Sequence, residues 1–337
     1  MTPLNIERFE WVDYAKAIGI LLVVYGHVAR GLVSAGLMLD STLHQYIDSI
    51  IYSFHMPLFF FLSGLFLISS FQSKGFSRLL SSKIDTIVYP YILWSLLQGG
   101  VEVILSSQTN GSVTTGEVLS LFTSPRAQFW FLYALFLVFI ASVVALVVVG
   151  VRALPVLFIL SVALYLWLPR FEFLIDFGYL SVNLVFFLMG AIFQQAKIIR
   201  FNSGYTLCAI LILAIIGQYL FHSAGFTNTN KGIFLLCLSM LSLLTVVSLS
   251  EWLSHFNLSF FAYVGASSMA IYLMHILAGS GIRVILSKLL GVDSLFIHLL
   301  FGTLLGVLLP LIALKLINYF KVPYVFSFPI SRLWVKK

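Results

Sequence analysis

WVDYAKAIGILLVVYGHVARG, residues 11–31, is the stretch that decides how the chain is read. A membrane-spanning helix needs about 20 mostly apolar residues, and the run from Ala17 to Leu37 supplies them. Lys16 stands at its start, where a long aliphatic stem lets the ammonium snorkel to the headgroups. His27 has no such escape. It lies eleven positions further on, about 16 Å along the helix at 1.5 Å per residue. That is near the midplane of a hydrocarbon core about 30 Å thick. An ionisable group at that depth is costly and is by default a functional hypothesis. The plainer explanation, a histidine hydrogen-bonded to a neighbouring helix, has about equal weight on this segment alone.

The rest of the chain repeats the pattern. Of its 337 residues, 61% are hydrophobic and 9% charged, against roughly 45–50% and about 25% in soluble globular proteins. So little charge cannot cover a soluble body of this length. The composition excludes a soluble enzyme, a nucleic-acid binder and a disordered chain, and it implies an all-α polytopic transmembrane bundle. Ten spans are expected: Ala17 to Leu37, Tyr46 to Ser70, Ile84 to Leu105, Phe129 to Gly150, Ala153 to Leu168, Phe177 to Ala196, Tyr205 to Phe221, Gly232 to Ser250, Phe256 to Leu290 and Leu295 to Phe320. The Phe256 to Leu290 run is long and is interrupted by Gly265. It reads equally as one tilted helix or as an interfacial helix followed by a span starting near Ser267.

The net charge of +7 is explained by topology rather than by nucleic acid, because the basic residues sit in short gaps between apolar runs. With a cytoplasmic N-terminus, 13 Lys and Arg fall on the inner side. Six fall on the outer side: Arg30, Arg126, Arg170, Lys231, Arg283 and Lys288. The positive-inside rule then puts both termini in the cytoplasm. Cys208 and Cys237 both lie inside apolar runs, so neither a disulfide framework nor a metal spacing is expected. Glu7, Arg8, Glu10 and Asp13 make the N-terminus too acidic for a cleaved signal peptide. A single transmembrane domain over residues 1–337, without an appended soluble domain, is the expectation.

Further polar residues stand inside these spans. The second carries SFHMPLFFFLSGLF, residues 53–66. His55 is nine residues after Tyr46, about 13 Å deep from the outer face, so it can reach the depth of His27. Pro57 removes a backbone hydrogen bond and frees the carbonyl of Ser53. Ser63 and Gly64 lie deeper, and small residues there allow close helix approach. A third cluster, GASSMAIYLMH (265–275), places Ser268, Tyr272 and His275 on one helix face at spacings of four and seven. A fourth, QFWFLYAL (128–135), carries Trp130 and Tyr133 at an outer helix end, where an interfacial aromatic belt is the plainer explanation. Asp48 and Glu102 lie toward the outer face and suit a polar vestibule. His44, His222, His255 and His298 fall near span ends and carry no assigned role. Known phosphate, metalloprotease and nucleophile-elbow motifs are missing, so no metal is expected.

Taken together, KAIGILLVVYGH (16–27), FHMPLFFFLSGLF (54–66), FWFLYAL (129–135) and SSMAIYLMH (267–275) resemble, in order, the integral-membrane acyltransferase 3 family. That family includes sugar O-acetylases of bacterial surfaces. Many members have arginine where this chain has Lys16; lysine resembles the fucose O-acetylase-like branch. The resemblance implies acetyl transfer from cytoplasmic acetyl-CoA to a hydroxyl of a glycan or lipid-linked sugar, in a bacterial inner membrane. It implies that His27 is catalytic. It leaves open whether such a chain acts alone or hands over to a separate soluble transferase.

The residues are chemically consistent with this. Neutral imidazole serves as base or acyl carrier near neutral pH. On this reading His27 is base or acyl acceptor and His55 shares the catalytic site. Lys16 meets the donor, with Asp13 at the donor entrance. Trp130, Tyr133, Tyr272, His275 and Ser63 meet the acceptor or the oxyanion. The competing class is a transporter or flippase with the histidines as a proton relay. It explains the buried histidines but not the spacing of Lys16 and His27 or the ordered motifs. A structural scaffold explains neither.

Overall fold

The computed structural model describes residues 10–37, 42–106, 113–167, 175–196 and 203–331. The charged N-terminal residues Glu7 and Arg8 lie outside them, as do Arg170, Lys197, Arg200, Arg332, Lys336 and Lys337 of the charge balance. Helices make up the described fold: α1 Glu10–Ser34, α2 Thr42–Gly64, α3 Leu67–Lys83, α4 Tyr89–Ile104, α5 Thr115–Leu119, α6 Trp130–Val149, α7 Leu154–Trp167, α8 Ile175–Gln195, α9 Gly204–Ser223, α10 Ile233–Ser254, α11 Ser259–Ala266, α12 Ser268–Val284 and α13 Leu295–Tyr319. Wide turns at Ile84–Val88 and Ile285–Leu289 extend α4 and α12.

Among the described residues nine helices are long and apolar enough to cross a membrane, and Val151–Trp167 is a shorter apolar helix in the place of the tenth expected span. Large apolar side chains face outward along them, Val148 at 76% and Ile159 at 65% exposure. A soluble protein rarely exposes contiguous apolar surface on that scale. The chain is therefore a multi-pass integral membrane protein.

Two boundaries differ from the sequence reading or resolve it. The second span ends at Gly64, not Ser70, and residues 67–70 begin α3. The reason is packing: a Cβ on Gly64 would stand 1.9 Å from the carbonyl oxygen of Phe187, and one on Gly190 2.0 Å from that of Phe61. The backbones of α2 and α8 touch there, as small residues permit, and the chain turns immediately after. The run from Phe256 is two helices, as the alternative with a span near Ser267 required. Gly265, at the end of α11, sits directly on the carbonyl of Asp13, where a Cβ would clash at 1.6 Å.

α1 forms the axis of the half of the bundle that matters for function, packing against α2, α10, α11, α12 and α13. α8 closes the other side against α2, α6 and α7. Pro57 acts inside α2 as the sequence suggested. The freed Ser53 carbonyl accepts a hydrogen bond from the Ser239 hydroxyl of α10 at 2.6 Å. Gln218 of α9 donates to the hydroxyls of Ser53 and Ser242, tying three helices through one polar knot. Near the Lys16 end, the segment after α13 folds back on α4. Trp94 donates to the Val325 carbonyl, and Asp85 accepts from the backbone and hydroxyl of Ser331.

Candidate active site

Side chains from α1, α2, α6 and α12 converge at the middle of the bundle. A chamber of about 250 Å³ is lined by Val23, His27, Arg30, Tyr52, His55, Met56, Ala127, Gln128, Trp130 and Tyr272. His27 arises from α1 and His55 from α2, so the two antiparallel helices do bring them to one depth. The Nδ1 atom of His27 lies 2.9 Å from the Val23 carbonyl, and that of His55 lies 2.8 Å from the Ile51 carbonyl. A carbonyl only accepts, so each Nδ1 carries a proton, and in the neutral ring each Nε2 presents a lone pair. His275 is held the same way by the carbonyls of Tyr272 and Ile271, at 2.8 and 3.2 Å. Among the described residues, the buried Nε2 atoms of His55 and His275 find no hydrogen-bond partner. This is unusual, because buried polar atoms are nearly always paired.

The three imidazoles are not equivalent. His275 is packed edge-on against His27, ring centres 5.0 Å apart, but does not line the chamber. It stands behind His27. The Tyr272 hydroxyl donates to the Gln128 carbonyl, so its proton is committed to holding the turn over the chamber. Tyr52 packs edge-on against His55 at 4.4 Å, and its hydroxyl is buried without a partner.

Arg30, one turn above His27, closes the chamber at one end. Its Nε and NH2 atoms hold Asp48 in a two-point pair at 2.8 and 2.7 Å, and its guanidinium lies 3.3 Å above the Tyr52 ring. Such a fork-and-stack arrangement suits arginine and not lysine. Sequence reasoning counted Arg30 only among the outer-side cations and Asp48 as one vestibule residue; their spacing of 18 positions, across two helices, gave no signal of pairing.

Toward the Lys16 end, a cavity of about 520 Å³ shares Val23, Met56 and Tyr272 with the chamber. Lys16 and Lys83 both line it, among apolar walls that include Phe59, Phe131 and Leu135. Lys16 is only loosely paired with Asp13, at 3.5 Å, and its side chain keeps 32% of its exposure. Lys83 stands 5.0 Å above the ring of Phe139. Ser63 lines this cavity, so the structure brings it to Lys16 rather than to Trp130. Asp13 is buried beside Lys16 and far from His27. Two ammonium groups thus line an otherwise largely apolar cleft.

Toward the Arg30 end, a second cavity of about 420 Å³ shares Tyr52, Met56 and Trp130 with the chamber. Trp130 is stacked on Tyr179 there, ring centres 5.9 Å apart and planes at 15°. Tyr133 lines none of the three spaces; it packs behind, its ring 6.0 Å from that of Tyr179. Tyr179 and Asn183 were not anticipated, because nothing in the α8 sequence marks the polar face that it turns to Trp130. His222 and His298 serve structure, bonding Ser49 and the Val292 carbonyl.

A family profile described as an acyltransferase domain, that of acyltransferase 3, matches residues 9–315. Nodulation protein NolL of Mesorhizobium japonicum is 32% identical over 131 residues, 38% of this chain. The aligned stretch spans about a third of that relative's length, 33%. No solved structure matches.

Proposed function

The chain belongs to the acyltransferase 3 family, and from that premise we propose that it moves an acyl group, acetyl by resemblance, from acyl-CoA to a hydroxyl of a cell-surface glycan or its lipid-linked precursor. The donor enters the Lys16 cavity and the acceptor comes from the Arg30 end. One observation carries the reading: His27 lines a chamber that shares walls with a doubly cationic cavity on one side and an aromatic one on the other.

The chemistry follows from the tautomer. With Nδ1–H tied to Val23, His27 offers Nε2 as a base. It takes the acceptor hydroxyl proton as that oxygen attacks the thioester carbonyl. The C–O bond forms, the C–S bond breaks, and the proton passes from His27 to the departing thiolate. In the covalent variant, Nε2 attacks the thioester carbonyl and the C–S bond breaks to release the thiolate; the acceptor hydroxyl then attacks the acyl-imidazole, the C–N bond breaks, and the hydroxyl proton ends on the thiolate. The unpartnered hydroxyl of Tyr52 is the donor best placed for the oxyanion, where a single donor is worth about 10²–10³ in rate. His55 accepts a hydrogen bond from the acceptor. His275 and Tyr272 position His27 and the Gln128 turn. Lys16 and Lys83 bind phosphate as point charges.

The excess of Lys and Arg at the Lys16 end supports a cytoplasmic assignment for that end and for both termini, in a bacterial inner membrane. The test is to incubate membranes containing the chain with labelled acetyl-CoA. Label in the glycan with stoichiometric release of thiol is expected. Uptake of a solute without thiol release would replace this reading by a transporter.

A further inference from the structure

The cavity at the Arg30 end holds more unspent polarity than its walls need. Its apolar side is Met56, Pro57, Val182, Phe186 and Leu235. Its flat face is the Trp130–Tyr179 stack. Between them, among the described residues, stand polar groups with hydrogen-bonding capacity to spare. The Tyr52 hydroxyl is buried and unpaired. The Asn183 amide uses its N–H on the Tyr179 carbonyl at 2.7 Å, leaving its oxygen unused. Lys231, from the loop between α9 and α10, gives one N–H to the Asn228 carbonyl at 2.9 Å, which leaves two of the three donors of an ammonium.

Charge completes the picture. Lys231 is the sole charged side chain among the described residues lining this cavity. In the adjoining chamber Arg30 is neutralised by Asp48. Lys231 thus brings a positive charge to the described wall of the acceptor path, and such a charge favours ligands of opposite sign. A stacked aromatic pair with hydrogen-bonding atoms around it suits a sugar ring, and the volume lies within the ordinary range of ligand sites, about 300–1,000 Å³.

We propose that this cavity is the acceptor site and that it takes a saccharide bearing an anionic group, phosphate or carboxylate. The sugar stacks on Trp130 and Tyr179, the anion pairs with Lys231, and the hydroxyl to be acylated passes Tyr52 into the His27 chamber. The inference rests on the acyltransferase reading and goes beyond it in naming the site and the charge class.

The experiment has two arms. In the source organism, glycans that lose O-acylation when the gene is deleted are isolated, and the acylated unit is identified by mass spectrometry. The unit is expected to carry a phosphate or a carboxylate. Recovery in the solvent-extractable lipid fraction assigns a lipid-linked phosphate, and recovery in the polymer assigns an acidic sugar. A neutral unit overturns the proposal. The isolated unit is then the acceptor for the purified chain, with wild type compared with Lys231→Glu and Lys231→Arg. Lys231 is an exposed loop residue, so both variants should fold. Lys231→Glu should raise the acceptor KM roughly tenfold or more, with donor KM unchanged, and Lys231→Arg should stay within about threefold of wild type. An unchanged acceptor KM in Lys231→Glu overturns the proposal while leaving the acyltransferase reading intact. Absence of any acyl transfer by wild type overturns both.

Discussion

Replacing Lys16 by alanine should weaken donor binding without unfolding the bundle. Lys16 has no strong partner to lose: Asp13 is 3.5 Å away, and the Lys16 side chain retains about a third of its exposure. Its ammonium is thus available to a phosphate. A hydrogen bond to a charged group contributes about 1.5–3 kcal/mol, and partial exposure reduces this toward the values of surface ion pairs, about 1 kcal/mol. A loss of about 1–1.5 kcal/mol corresponds to a five- to tenfold rise in donor KM. Lys83 lines the same cavity, so the double variant should lose the two contributions roughly additively. The assay is thiol release from acetyl-CoA by the purified chain at saturating acceptor, beside a donor stripped of its nucleotide phosphates. The variants should lose most of their preference for the full donor, with kcat reduced less than kcat/KM. Lys16→Arg should be milder. If Lys16→Ala leaves donor KM and the preference unchanged, the donor does not occupy this cavity.

Three further substitutions probe the frame. Gly64→Ala forces a Cβ into the Phe187 carbonyl, 1.9 Å away. Overpacking ordinarily costs about 1–3 kcal/mol; here the obstacle is backbone, so the purified protein should melt many degrees lower or fail to accumulate. Ser239→Ala strips the freed Ser53 carbonyl of its donor. Bonds of this kind within membranes are worth about 0.6 kcal/mol on average, and a small drop in melting temperature with near-normal activity should result. Arg30→Lys keeps the charge but loses the two-point pair with Asp48 and the stack on Tyr52. Turnover should fall about tenfold with donor KM unchanged; normal turnover would remove this pair from the account.

Much of this was legible in the sequence because hydrophobicity alone fixes a membrane bundle. Among the described residues, nine of the ten expected apolar runs contain a helix long and apolar enough to cross, and Gly265 marked the break between α11 and α12. The carbonyl released by Pro57 was foreseeable from proline's missing N–H, though its partner Ser239, 186 positions away, was not. Lys16 and His27 were legible as a pair because one helix carries both. What sequence could not supply was rotation about the helix axes. Ser63 was grouped with the acceptor residues, whereas its place deeper along α2 brings it to the Lys16 cavity. His275 shares depth with the chamber yet stands behind His27. Arg30 and Asp48 are individually ordinary and acquire meaning only when α1 and α2 lie side by side.

The central claim is that His27 carries the acyl-transfer chemistry. The direct measurement is transfer of labelled acetyl from acetyl-CoA to the glycan by the purified chain in liposomes. Wild type and His27→Ala are compared at equal incorporation and equal melting temperature. General acid–base catalysis by one side chain is worth about 10²–10⁴ in rate, so the variant should lose at least a hundredfold while still binding donor through Lys16 and Lys83. Transfer at the wild-type rate by His27→Ala would contradict the account.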